Sequence, residues 1–244
     1  MSLSVLLSGA TGTIGRQISE RLRHDDRFVL AGTASSEGFF EPDVTADVII
    51  DFSHPSLLRP VLDFACRRQL PLVVGTTGLD DELQAQLSQA AGTIAICQAA
   101  NFSLGVNLMI RMVGELAGKL DDDFDIEILE MHHRRKLDAP SGTALALGES
   151  IAQSRALGVE DSAIFDRSRD RIPRARGKVG YQSIRGGDVA GEHTVYFLGP
   201  GERIELCHRA TDRDIFARGA LLAARHLVGR GPGSVDFLDL VLGP

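Results

Sequence analysis

Short apolar runs punctuate the first hundred residues. The segments 3–8, 28–33, 47–51, 72–74 and 93–97 are rich in Val, Leu and Ile and almost unbroken by charge. Such runs suit strands buried on both faces of a parallel sheet. Between them lie stretches that read as helices: 16–23, from Pro55 to about Gln69, and from Asp80 to Ala91. Alternation of this kind predicts an α/β domain. A long helix from Ser103 to about Leu120 follows, and past it the apolar period shortens to two. Segments 124–130, 179–185, 191–197 and 202–208 then read as strands, broken by Gly186-Gly187-Asp188 and Gly199-Pro200-Gly201. With a helix from Thr143 to about Leu157, they predict a smaller α+β domain with a mostly antiparallel sheet. The segment 214–228 is an amphipathic helix closed by Gly229 and Gly231.

Composition narrows the function classes. At 244 residues the chain has room for one large or two smaller domains. A formal charge of −7 argues against a general nucleic-acid binder, so basic clusters need local explanations. Arg167, Arg169, Arg171, Arg174 and Arg176 are therefore read as a flexible, solvated loop. Cys66, Cys97 and Cys207 are widely spaced and form no C-x-x-C, which disfavours disulfide and zinc frameworks and points to a reducing cytoplasm. The apolar start runs into a glycine motif rather than a signal peptide, and no run approaches the ~20 apolar residues of a membrane span. No membrane partner and a cytoplasmic location are expected.

Two stretches carry chemistry. The first, Gly9-Ala10-Thr11-Gly12-Thr13-Ile14-Gly15, sits between a strand and a helix. That placement makes a tight turn, brings backbone close to a diphosphate and sets it on a helix N-terminus. After the second strand, where an NAD-binding domain usually has an acid for the ribose, stand Ser35 and Ser36. Two hydroxyls remove the repulsion toward a 2′-phosphate, which favours NADPH while leaving use of NADH open.

The second is Glu130-Met-His132-His133-Arg-Arg-Lys136-Leu-Asp-Ala-Pro-Ser141-Gly142-Thr143, a strand end, a charged loop and a helix start. Ser141 is the expected N-cap. A helix N-terminus with Lys136 nearby suits a small carboxylate or a phosphate. His132 can donate a proton near neutral pH. The adjacent histidines point to opposite faces of a strand and no third ligand follows at zinc-like spacing, so no metal is expected.

This stretch resembles the active-site segment of the 4-hydroxy-tetrahydrodipicolinate reductases, also called dihydrodipicolinate reductases, at every specified position. The D-F-[ST]-x-P run at 51–55, Gly75-Thr76-Thr77-Gly78, Ala99-Ala100-Asn101-Phe102 with the residues to Asn107, and the motifs at 185–193 and 211–213 resemble the same family. Ser35-Ser36 departs from its pattern, which often has an acid followed by Arg.

The resemblance implies a Rossmann dinucleotide-binding domain at 1–103 and 212–244, with a substrate-binding and oligomerisation domain at 104–211. It implies that Gly75 to Thr77 and Ala99 to Phe102 join the glycine loop in holding NADPH or NADH. His132 would be the proton donor, with Lys136 orienting or supplying a proton. His133, Gly142 and Thr143 would bind a small dicarboxylate between the domains, and a homotetramer would form through the second domain's sheet. From the residues themselves, His54 is expected to be part of its loop with no catalytic role, and His193 and His208, in alternating strands, to be structural. The rivals are a reductase of another small carboxylate and a nucleotide sensor without catalysis; retention of both histidines with Lys136 speaks against the sensor.

Overall fold

The computed structural model describes residues 2–168 and 172–243. In chain order, β1 (Leu3–Ser8), α1 (Thr13–His24), β2 (Phe28–Ala34), β3 (Val48–Asp51), α2 (Pro55–Arg68), β4 (Leu72–Val74), α3 (Asp81–Ala90) and β5 (Ala95–Gln98) lead into α4 (Leu104–Ala117). Then come β6 (Asp125–His132), α5 (Gly142–Ser154), α6 (Val159–Ser162), β7 (Ala163–Ile164), β8 (Val179–Arg185), β9 (Gly191–Gly199) and β10 (Glu202–Ala210). The chain closes with α7 (Asp214–Leu227), β11 (Gly233–Ser234) and α8 (Phe237–Leu242). It divides into two compact units. One comprises the residues up to Leu104 with those from Arg213 onward; the other is Gly105–Asp212.

The first unit is an α/β layer structure on a parallel sheet of order β11-β5-β4-β3-β1-β2. Its central strands β1, β3 and β4 are largely apolar because both faces are covered. Val5, Leu7, Val48, Ile50 and Val73 point to a core shared with α1, α7 and α8, whereas Leu6, Ile49, Leu72 and Val74 point to one shared with α2 and α3. The segment 37–46, whose conformation the sequence leaves open, is pinned by Phe40, which is buried against Phe39 and Phe64. The two-residue strand β11, too short to show as a pattern, completes the sheet beside β5.

The second unit holds a five-stranded sheet of order β10-β9-β6-β8-β7. One face packs on α4 and α5 through Ile126, Ile128, Val179, Val195 and Phe197 against Met109, Val113, Leu147 and Ile151. The sheet is mixed, and its longest run of pairing, along β10, β9 and β6, is antiparallel, as the alternation and the turn signals predicted. Pairings β10–β9 and β9–β6 are antiparallel, but β6–β8 and β7–β8 are parallel. The reason lies in the connection: the chain leaves β6, crosses through α5 and re-enters in the same direction, as a helical crossover requires.

In the arginine-rich segment Arg167 and Arg176 are exposed, as in a solvated loop, but Arg174 is not. Arg169 and Arg171 lie outside the described residues. Around them α6 and β7 are ordered elements, and Arg174 is nearly buried, its side chain 12% exposed. Arg174 donates to Asp125 at 2.6 Å, to Glu127 at 2.8 Å and to the carbonyls of Ile126 and Lys178 at 2.9 and 2.6 Å. Truncation would take this donor from two carboxylates and two carbonyls. Arg174→Ala is expected to lower unfolding free energy by about 2 kcal/mol, less than a fully buried pair because Asp125 is partly exposed. Urea denaturation measures it; a loss below ~0.5 kcal/mol, the scale of an ordinary surface change, would show the cluster to be solvated after all.

Candidate functional site

In the first unit β1 lies between β2 and β3, so the strand order reverses at its carboxyl end. Open α/β sheets hold ligands at such a point. Gly9 leaves β1 with φ +82°, and a Cβ there would stand 2.2 Å from the Phe52 carbonyl oxygen at the end of β3. The turn closes through Gly12 N–H donating to Gly9 O at 2.9 Å. Gly12 is the N-cap of α1 and gives no side-chain cap, so the amides of Thr13 and Ile14 begin the helix with its positive end toward the loop. A cleft of about 360 Å³ opens here, lined by Gly9, Thr11, Gly12, Ser35 and Ser36, with Phe52, Ser53, His54, Ser56 and Leu57 opposite. Its glycine turn and its uncharged hydroxyls suit the adenosine and diphosphate portion of a dinucleotide.

Asp51 organises the neighbouring turn. Fully buried at the end of β3, it accepts from the hydroxyls of Ser53, at 2.7 Å, and Thr76. Thr76 Oγ in turn accepts the Ser53 amide at 2.8 Å. Burial pushes the Asp51 pKa up, against these hydrogen bonds. The Thr76 side chain is therefore spent on structure, leaving the backbone of Gly75 to Thr77 as the surface of that turn. Asn101 Oδ1 accepts from Ser103 N at 2.7 Å and turns the chain toward α4. Phe102 packs between Phe52 and Phe237 in the core, so a ligand could meet only its backbone.

In the second unit the face of β6 that carries Ile126 and Ile128 continues with Glu130 and His132, because residues two apart share a face. Strand register sets Glu130 opposite Ser183 and His193, and His132 opposite Arg185. An apolar sheet face thus ends in a buried polar layer. Glu130, 1% exposed, accepts from His132 Nδ1 at 2.6 Å, from Arg185 at 2.7 and 2.6 Å, and from the Ser141 amide at 3.2 Å. Ser141 caps α5 through the Ala144 amide, as its position after Pro140 suggested, and its hydroxyl meets His193 Nε2 at 2.9 Å. The imidazoles of His132 and His193 meet edge to face at 5.1 Å.

The electrostatics follow from burial and this pairing. Burial pushes the Glu130 carboxyl up, but hydrogen bonds from Arg185, Ser183 and His132 outweigh it and hold the pKa at about 2. Burial lowers the His132 pKa below 6.5; Glu130 pulls the other way, while the charges of Lys136 and Arg185 lower it further. His193, more deeply buried and beside His132, is pushed down to about 4 and stays neutral. Nε2 of His132 lies against Gly191, where a Cβ would come within 3.0 Å. Lys136 sits on the loop after β6, 2.9 Å from Asp138. Gly142 is exposed and Thr143 half-buried at the start of α5.

The sequence-predicted nucleotide residues thus fall in the first unit and the substrate residues in the second. His132, Ser141, Gly142 and Thr143 belong to one tied assembly, with Lys136 and His133 on the connecting loop. Sequence reasoning missed Glu130, Arg185 and His193 as parts of that assembly. It also missed Phe52, Ser53, Ser56 and Leu57 as lining of the cleft, and His54, read only as a loop residue, both lines it and caps α2 through the Ser56 amide. The available signal was the motif run 51–55 and the acid two positions before His132. Among the described residues no group of three His, Cys, Asp or Glu side chains is placed to hold a metal ion, and no helix is long and apolar enough to cross a membrane.

Comparison with known proteins gives a consistent result. The family described as dihydrodipicolinate reductase, N-terminus, matches residues 3–102, and dihydrodipicolinate reductase, C-terminus, matches 105–241. The chain is 43% identical to a 4-hydroxy-tetrahydrodipicolinate reductase of Zymomonas mobilis, over 98% of this chain and 97% of the relative. It is 51% identical to one of Myxococcus xanthus, over 80% of this chain and 72% of that one. A solved structure of dipicolinate-bound dihydrodipicolinate reductase from Paenisporosarcina superposes with a TM-score of 0.79 at 22% identity, covering 98% of this chain and 99% of that one; it supports the fold.

Proposed function

Because the chain belongs to the dihydrodipicolinate reductase family, we propose that the Glu130–Thr143 segment is its active-site segment and that the first unit binds the nicotinamide cofactor. The reaction is the NAD(P)H-dependent reduction of 4-hydroxy-tetrahydrodipicolinate to tetrahydrodipicolinate, with loss of water, on the diaminopimelate route to lysine. The observation that carries the residue assignment is the tie between a buried imidazole and a capped helix start in one segment.

Gly9 to Ile14 would hold the diphosphate, Ser35 and Ser36 the adenosine ribose, and the backbones of Gly75 to Thr77 and Ala99 to Phe102 the nicotinamide half. When bound, the reduced nicotinamide would supply hydride to ring carbon C4 once the 4-hydroxyl has left as water to give the dehydrated ring. His132 supplies the proton taken up with it. Nδ1 faces Glu130, so Nε2, beside Gly191, is the ring nitrogen that gives up the proton. Lys136 is the second cation, orienting the substrate or assisting proton supply. The amides of Gly142 and Thr143 at the positive end of α5 receive one carboxylate of this small dicarboxylate, and His133 the other. The absence of an acid at Ser35-Ser36 favours NADPH. The sheet face of the second unit that α4 and α5 leave uncovered, with Tyr196 and Leu198 on β9, is the surface assigned to homotetramer assembly. A cytoplasmic location fits a biosynthetic reductase with three free cysteines.

The test is oxidation of NADH and of NADPH, each separately, with the labile substrate made in situ by the upstream synthase from pyruvate and aspartate semialdehyde. Consumption should require the complete mixture and be faster with NADPH at limiting cofactor. Binding of both cofactors with no consumption of either would remove the substrate assignment. A preference for NADH would remove the argument from Ser35-Ser36.

A further inference from the structure

We propose that Glu130 is a positioning residue of this reaction: one carboxylate fixes the proton donor His132 and the N-terminus of α5 relative to each other. The inference rests on the active-site reading above and deepens it. The two oxygens of Glu130 are divided between the two halves of the site. Oε2 faces Nδ1 of His132 at 2.6 Å, and Oε1 accepts the amide of Ser141, the N-cap of α5, at 3.2 Å. Arg185 binds both oxygens, Nη1 to Oε2 and Nη2 to Oε1, so the carboxylate plane cannot rotate away from either partner. Nη2 also donates to Asp138 O at 2.6 Å, which holds the loop carrying Lys136 to the same point.

The arrangement has a chemical consequence. An ionised Glu130 keeps the proton on Nδ1 of the neutral ring, so His132 gains and loses its second proton at Nε2 alone. An isolated buried carboxylate would also stabilise the imidazolium and make it a poor acid. Arg185 neutralises that carboxylate, and burial of the ring, with the charges of Lys136 and Arg185, keeps His132 a stronger acid than an ordinary histidine. Glu130 orients the ring without trapping its proton. Because the same group carries Ser141, the distance from proton donor to carboxylate cradle is set by one side chain, not by the fourteen-residue segment as a whole.

The experiment uses Glu130→Gln and Glu130→Asp in the full chain. Pyridine-2,6-dicarboxylate binding by calorimetry, NAD(P)H binding, melting temperature and the pH dependence of kcat are measured together. For Glu130→Gln we expect kcat to fall on the order of 100-fold and pyridine-2,6-dicarboxylate to bind about 10-fold more weakly, with NAD(P)H affinity unchanged. The alkaline fall in kcat should move to lower pH, because the one group that raises the His132 pKa is lost while Lys136 and Arg185 remain. Glu130→Asp should recover part of both losses.

Unchanged kcat and dicarboxylate affinity in a folded variant would overturn the proposal. So would parallel loss of dicarboxylate affinity, cofactor affinity and melting temperature, the mark of a structural role. If neither variant folds, 15N NMR of the wild-type His132 ring decides: Nδ1–H as the neutral tautomer supports the assignment, and Nε2–H overturns it. Dicarboxylate binding and the NMR tautomer need no turnover, so a wild-type protein inactive on the coupled substrate would defeat the proposed function while leaving the Glu130 tie to be judged separately.

Discussion

His132→Ala is expected to lower kcat on the order of 10³-fold while leaving NAD(P)H affinity essentially unchanged, since the ring belongs to the second unit and the dinucleotide cleft to the first. The pH dependence gives the sharper reading. In the proposed reaction the active form is the imidazolium, and burial, with Lys136 and Arg185, lowers its pKa below the ordinary 6.5 against the opposing pull of Glu130. In the free enzyme the protonated fraction is therefore lost as pH rises through a value below 6.5. The profile of kcat/KM should fall on its alkaline side from that point. In His132→Ala that limb should vanish. An alkaline limb of unchanged position in the variant would assign it to another group, with Lys136 the first to examine.

Gly9→Ala is the second large effect. The residue sits at φ +82°, where a side chain costs about 1–2 kcal/mol. Its Cβ would also lie 2.2 Å from the Phe52 carbonyl oxygen and 2.8 Å from Ser53 Cα, all backbone, so no rotamer change relieves the clash. The carboxyl ends of β1 and β3 must separate, and they are the walls of the cleft. We expect about 3 kcal/mol of lost stability and at least ~10-fold weaker NAD(P)H binding. Gly12→Ala is the control for stability alone, since Gly12 also lines the cleft: its Cβ would stand 3.3 Å from Gly9 O, close but far short of a collision. Thermal melting of both variants and cofactor titration of Gly9→Ala check this, and equal melting temperatures for the two variants would defeat the argument.

Much of this architecture was legible from residues alone, for a definable reason. A strand buried on both faces is apolar at nearly every position, and a turn that presents backbone to a diphosphate has to be glycine-rich; both demands are local. What stayed hidden depends on residues far apart. Glu130 and Arg185 are separated by 55 positions, Arg174 and Asp125 by 49. No window contains either pair, so Arg174 read as one more solvated charge. The parallel direction of β8 is likewise absent from its own alternation, since the crossover through α5 decides it. His193 was read only as a structural residue from its strand pattern, and its contact with the N-cap of α5 comes from register. Phe39 and Phe40 looked like loop residues because their partner, Phe64, is on a helix more than twenty positions away.

The discontinuous first unit has a consequence during synthesis. Strands β1 to β5 are complete by residue 98, yet the layer that covers one face of their sheet includes α7, whose Ala217, Ala220, Leu221 and Ala224 are buried in the shared core. A ribosome adding roughly 5–20 residues per second needs about 6–25 s to move from β5 to the end of α7. Through that interval the emerging domain carries an uncovered apolar face and an unpaired edge on β5, which β11 closes only after α7 has formed. The second unit, whose strands all lie within 125–210, can complete its own sheet in the meantime. The nascent chain therefore passes through a stage in which the second unit is folded and the first is still open to chaperones.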